Sequence, residues 1–107
     1  MHIGWVGGVE RNEGDLVRMA KGAGHDLTFH AGKLAGRGGQ DLKSLVERAD
    51  LVIILTDVNS HGGVIAAKRL ARQYGKGTVV TRRLGAARFA AFLDALDHAS
   101  PLLATGT

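Results

Sequence analysis

The strongest constraint on the fold is a run of five apolar residues, Leu51–Leu55, with the sequence Leu-Val-Ile-Ile-Leu. A strand with one face in water alternates apolar and polar residues. A strand buried on both faces is apolar throughout, as in parallel sheets that are covered by helices. Leu51–Leu55 therefore predicts the central strand of a parallel sheet.

Three other strand patterns and four amphipathic helix patterns alternate along the chain with this run. The other strands are expected within residues 2–9, 27–30 and 78–81, and a helix is expected after each of the four strands. Strict alternation with short connections predicts an α/β fold with right-handed crossovers. The expected architecture is a small doubly wound four-stranded parallel sheet of order 2-1-3-4, flavodoxin-like or half-Rossmann. We expect one domain over residues 1–99 and a flexible C-terminal tail over residues 100–107.

Composition excludes several classes of function. The chain has 107 residues, enough for one domain. It has no cysteine, which excludes disulfides, thiolate metal ligands and thiol catalysis. The first residues lack the basic and apolar segments of a signal peptide, and no apolar run approaches the ~20 residues of a membrane span. We therefore expect a cytoplasmic protein without membrane contact.

The charge is distributed unevenly. Residues 61–107 carry seven Lys/Arg and two Asp/Glu, whereas residues 1–60 carry seven and eight. A basic half favours an anionic partner. The basic face of the third helix, formed by Lys68, Arg69, Arg72 and Lys76, is the one hint of nucleic-acid binding. No recognised nucleic-acid module accompanies it, and a solvated helix face explains it equally well.

The polar residues that follow the four strands form the candidate site. In open α/β sheets, ligands bind beyond the carboxyl ends of the strands. A Ser or Asn before the third helix can cap it, and the free N–H groups of its first turn favour an anion. The leading hypothesis is a small phosphate- or nucleotide-like anion, with Arg11 and Lys33 adding charge and the loop Ala31–Gly39 as a lid. The candidate ligand-binding residues are Gly7, Gly8, His30, Thr56, Asp57, Ser60, His61, Arg82 and Arg83.

Three alternatives remain open at this point. His30, Asp57 and His61 are a set that suits zinc, iron or nickel, which predicts a metal-dependent enzyme or a metal sensor. His30 or His61 can also act as a general acid or base, although no nucleophile is identifiable. The third alternative is a regulatory module that binds a protein or a nucleic acid and takes no small ligand. The glycines do not fit G-x-G-x-x-G, which argues against a nicotinamide-dinucleotide dehydrogenase, and the cofactor is unknown. Two open sheet edges favour a homodimer.

Four short motifs carry a resemblance to a known family. They are Gly7-Gly8, His30-Ala31-Gly32, Thr56-Asp57-x-x-Ser60-His61 and Arg83-x-Gly85-x-x-x-Phe89. With these motifs the chain resembles the bacterial domain-of-unknown-function family 2325, from about Ile3 to Leu96. The resemblance implies a small bacterial α/β domain and no particular reaction. Phe29 stands where a second histidine is frequent in the family, so no two-histidine role is expected for that loop.

Overall fold

The computed structural model describes residues 1–105, and of residues 99–105 it describes the backbone only. The expected tail over residues 100–107 lies largely outside the described side chains and stays a prediction. The elements in chain order are β1 (His2–Val6), a 3-10 turn (Glu10–Asn12), α1 (Glu13–Gly22), β2 (Asp26–His30), α2 (Gly38–Arg48), β3 (Leu51–Leu55), α3 (His61–Gln73), β4 (Gly77–Thr81) and α4 (Ala86–Thr105).

The four strands form one parallel sheet of order β2-β1-β3-β4, which confirms the predicted order. In the register of the sheet, Val6 lies beside His30 of β2 and beside Ile54 of β3. The strands therefore end at nearly the same level. As a result, the loops that follow them lie next to one another along one edge of the sheet.

Helices cover both faces of this sheet, as the apolar run of β3 predicts. Val52 and Ile54 are buried against α2 and α3, whereas Ile53 and Leu55 are buried on the opposite face with residues of α1 and α4. Alternate side chains of β3 thus enter two separate apolar layers. None of the described helices is long and apolar enough to cross a membrane.

The placement of the helices fixes where a crevice can form. The chain leaves β1 toward α1 on one face and leaves β3 toward α3 on the other. Since β1 and β3 are neighbours, their connections diverge between them. This is the position at which open α/β sheets bind ligands.

Candidate functional site

Backbone hydrogen bonds join the loops at this edge of the sheet. The Gly7 N–H donates to the carbonyl of His30 at 2.7 Å, and the Gly8 N–H donates to the carbonyl of Val58 at 2.7 Å. Gly7 and Gly8 have φ values of +108° and +93°, in the left-handed region that favours glycine. The glycine pair thus turns the chain so that the loop after β1 binds the loops after β2 and β3.

Asn59 connects the same loops through its side chain. Its Nδ2 donates to the carbonyl of Leu55 at 2.7 Å and lies 3.5 Å from the carbonyl of Val6. Its Oδ1 is buried and has no hydrogen-bond partner among the described residues. That oxygen lies against Gly32, where any Cβ would overlap it. Asn59 therefore holds the carboxyl ends of β1 and β3 together and requires a glycine in the loop after β2.

Ser60 caps α3, as the sequence predicts. Its Oγ accepts a hydrogen bond from the Gly63 N–H at 2.8 Å and donates one to the carbonyl of Gly32 at 2.7 Å. The N–H groups of His61 and Gly62, at the start of the helix, have no intrahelical acceptor. They give this end of α3 a partial positive charge.

His30 holds the loop between β2 and α2. Its Nδ1 accepts a hydrogen bond from the Gly32 N–H at 2.9 Å, and its Nε2 lies 2.7 Å from the carbonyl of Gly38. The neutral ring therefore carries its proton on Nε2, which donates to that carbonyl. One imidazole thus contacts both ends of the loop expected to act as a lid.

An open crevice of about 560 Å³ lies above the carboxyl ends of β1, β2 and β3. Its basic side chains are Arg11 and Lys33, and its acidic side chain is Glu10. The Lys33 Nζ lies 3.5 Å from the Glu10 Oε1, and both side chains are largely exposed. The lining residues are Gly8, Val9, Glu10, Arg11, Ala31, Lys33, Val58, Asn59 and Ser60.

Asp57 forms an ion pair outside the crevice. The Nε of Arg83 donates to the Asp57 Oδ2 at 2.7 Å. This hydrogen bond is the main cause that lowers the pKa of Asp57 below its usual value, and the charge of Arg82 lowers it further. Arg82 and Arg83 lie with Thr81 and Arg88 around a separate open depression beyond β4.

A family model matches residues 2–96 of the chain, and its description reads "uncharacterized protein conserved in bacteria", DUF2325. The chain belongs to this family. The match confirms the resemblance that the four short motifs indicate. No curated protein and no solved structure matches the chain.

In this DUF2325 domain, the motif residues that follow the strands make structural contacts. Gly7, Gly8, His30 and Ser60 join the three loops through hydrogen bonds. Gly8 and Ser60 also line the crevice, whereas His30 lines a neighbouring depression with Lys33. The Thr56 N–H donates to the carbonyl of Thr81 at 2.9 Å, and the His61 side chain is exposed outside the crevice lining.

The three proposed metal ligands are not brought together. Within the described residues, no group of three His, Cys, Asp or Glu side chains could hold a metal ion. Both ring nitrogens of His30 contact the backbone, and the Asp57 carboxylate binds Arg83. The geometry therefore offers no support for a site built from His30, Asp57 and His61.

The sequence does not indicate the roles of Asn59 and Glu10. An amide between a strand and a helix N-cap is also typical of an ordinary turn, so the sequence gives no signal that it bridges two strands. Glu10 lies in the loop after β1, and its contact with Lys33 spans 23 residues. Only the folded chain shows that an acid is positioned beside the basic residues of the crevice.

Proposed function

We propose that this DUF2325 domain binds a small phosphate-bearing anion in the crevice above β1, β2 and β3. The observation that carries the proposal is the position of the crevice. It lies where the connections after β1 and β3 leave toward opposite faces of the sheet. Its volume of about 560 Å³ is ample for a phosphate or a small phosphate ester.

The charge around the crevice favours an anion. Arg11 and Lys33 supply two positive charges against one negative charge from Glu10. The capped start of α3 adds unpaired N–H groups beside Ser60. Phosphate oxygens accept hydrogen bonds from cationic side chains and from backbone N–H groups alike.

The glycines next to the crevice keep the backbone accessible. Gly8 lines the crevice directly, and its positive φ disfavours any residue with a side chain. Gly62 at the start of α3 has only the Leu34 Cδ1 near its missing Cβ, at 3.5 Å. The Gly8 N–H is taken by the carbonyl of Val58, so the backbone donors open to an anion are the unpaired N–H groups at the start of α3.

Calorimetric titration with pyrophosphate at low ionic strength tests the proposal. We expect binding that weakens as salt is added, because exposed charges are screened. Lys33→Ala should weaken binding about fivefold, the loss expected for roughly 1 kcal/mol. Lys43→Ala is the matched control, since Lys43 is an exposed lysine of α2 paired with Glu47 and is absent from the crevice lining.

Two results would contradict the proposal. One is the absence of any pyrophosphate binding by the folded protein at low salt. The other is an equal effect of Lys33→Ala and Lys43→Ala, which would indicate binding through net charge alone. Circular dichroism of each variant establishes that the fold is retained.

A further inference from the structure

A second and more enclosed space lies beside the crevice, on the face of the sheet covered by α1 and α4. Its volume is about 300 Å³. It is bounded by the end of the sheet, by α1 and by the start of α4. The lining residues are Trp5, Gly8, Val9, Asn12, Asp15, Leu16, Met19, Phe29, Leu55, Leu84, Gly85 and Ala86.

Aromatic and aliphatic side chains form most of this cavity. Trp5 is 2% exposed, and its indole N–H donates to the carbonyl of Gly7 at 3.0 Å. With that donor satisfied, the small part of the indole that borders the cavity is apolar. Gly8 keeps the space open, because a Cβ there would lie 3.6 Å from the Trp5 Nε1 and 3.5 Å from the Leu55 Cδ1.

Polar groups occur at the rim of this apolar surface. The Asp15 carboxylate, which pairs with Arg18, can accept hydrogen bonds. The side chain of Asn12 makes no capping hydrogen bond to α1, so its amide is available. Ala86 begins α4. The first hydrogen bond of this helix runs from the Phe89 N–H to the carbonyl of Gly85, so the Ala86 N–H has no acceptor within the helix. Hydrogen-bond acceptors and donors thus lie around the apolar lining of the cavity.

The cavity and the crevice share Gly8 and Val9 in their linings. A single ligand can therefore occupy both spaces if it has a flat apolar ring with polar edges and, beyond it, an anionic group. We propose that the cavity binds the purine ring of a nucleoside monophosphate whose phosphate lies in the crevice. This inference rests on the proposed anion site and names the class of ligand that the site would take.

Purine chemistry fits the rim. A purine presents N–H donors and ring acceptors on its edges, which match the Asp15 carboxylate and the N–H group of Ala86. Its faces are apolar enough to lie against aromatic and aliphatic side chains, as bases do on aromatic residues in other proteins. Ribose 5-phosphate lacks this ring and can use only the crevice.

The experiment compares GMP and AMP with ribose 5-phosphate, guanosine and pyrophosphate, by calorimetry and by tryptophan fluorescence. Trp5 is the single tryptophan of the chain, so its emission reports on the cavity. We expect GMP or AMP to bind at least about tenfold more tightly than ribose 5-phosphate, a difference of about 1.4 kcal/mol. We also expect the nucleotide, and not ribose 5-phosphate, to change the emission of Trp5.

Ala86→Phe fills the cavity from its exposed rim and should remove the advantage of the nucleotide over ribose 5-phosphate. Pyrophosphate binding should not change. Ala87→Phe is the matched control, because Ala87 is also exposed in the first turn of α4 and is absent from the cavity lining. A control variant that behaves like Ala86→Phe would overturn the assignment of the cavity.

The outcomes separate this inference from the proposed function. Equal affinity for nucleotides and ribose 5-phosphate would overturn the base site and leave the anion site supported. Guanosine binding that Ala86→Phe abolishes, without any binding of pyrophosphate or ribose 5-phosphate, would support the base site and contradict the anion site. No binding by any of the five compounds would overturn both.

Discussion

At the scale of single residues, the Asn59 amide joins the carboxyl ends of β1 and β3. Asn59→Ala removes a hydrogen bond to Leu55 and leaves buried carbonyls without that donor. We expect the free energy of unfolding to fall by about 1–3 kcal/mol, as measured by urea denaturation. Asn12→Ala is the control, since Asn12 makes no capping bond, and it should change stability by less than about 0.5 kcal/mol. Equal effects of the two variants would contradict this role.

The carboxyl of Asp57 titrates below its usual pKa because Arg83 donates a hydrogen bond to it. Because the pKa is lower in the folded protein, the ionised carboxylate stabilises the fold at pH values above its ordinary pKa. This contribution is lost as the pH falls through the pKa of the folded state. Arg83→Gln should therefore raise the pKa of Asp57, measured by carbon-detected NMR titration of its carboxyl group. Arg82→Gln should raise it less, and Arg88→Gln is the control. A larger effect for Arg82→Gln would show that the hydrogen bond is not the main cause.

Glu10 opposes the anion that the crevice is proposed to bind. Its carboxylate lies 3.5 Å from the Lys33 ammonium and removes part of the positive charge. Glu10→Gln should tighten pyrophosphate binding by about two- to fivefold, the range of an exposed charge pair. Glu13→Gln is the control, since Glu13 is absent from the crevice lining. Weaker binding by Glu10→Gln would place the anion elsewhere.

At the scale of elements, the loop between β2 and α2 depends on one side chain. His30 accepts from the Gly32 N–H and donates to the carbonyl of Gly38. His30→Ala should therefore speed hydrogen exchange at the Gly32 amide and in the residues up to Gly38, because the loop loses both contacts. His61→Ala is the control, since His61 is exposed at the start of α3. Unchanged exchange in the loop of His30→Ala would show that other contacts hold it.

The elements themselves follow closely from the sequence, and their ends follow less well. The apolar run Leu51–Leu55 predicts both the central strand and its burial on two faces, because a strand covered by helices on both faces is apolar throughout. Ser60 predicts the start of α3 for a local reason, the hydrogen bond to Gly63. Asn12 precedes α1 and is of a residue type that commonly caps helices, yet it ends a 3-10 turn and its side chain makes no capping bond. The 3-10 turn connects β1 to α1, and local propensity does not predict it.

At the scale of the whole molecule, topology predicts that the candidate residues lie at one edge of the sheet, but not which of them line the crevice. Alternating strands and helices place every candidate residue at one edge of the sheet. The edge is four strands wide, so residues that follow different strands lie in different places along it. Ser60 reaches the crevice, whereas Arg82 and Arg83 lie beyond β4. The cavity beside Trp5 depends on how α1 and α4 converge over the sheet. Such convergence is set by packing between distant residues, so the sequence pattern does not show it.

The outer edge of β4 supports the expectation of a homodimer. In the part of the chain that the structure describes, no strand pairs with this edge. The strand Gly77–Thr81 contains no proline and no charged residue, and Val80 is 45% exposed. Edges of this kind lack the features that prevent pairing with another chain. The other edge strand, β2, carries the exposed Asp26.

We therefore predict that sedimentation equilibrium at micromolar concentration gives the mass of two chains, joined along β4. Val80→Lys should give the mass of one chain, because an edge lysine would be buried without a partner in the paired sheet. Thr28→Lys on β2 is the control and should leave the dimer intact. A wild-type mass of one chain would contradict the dimer, and dissociation by Thr28→Lys alone would move the contact to β2.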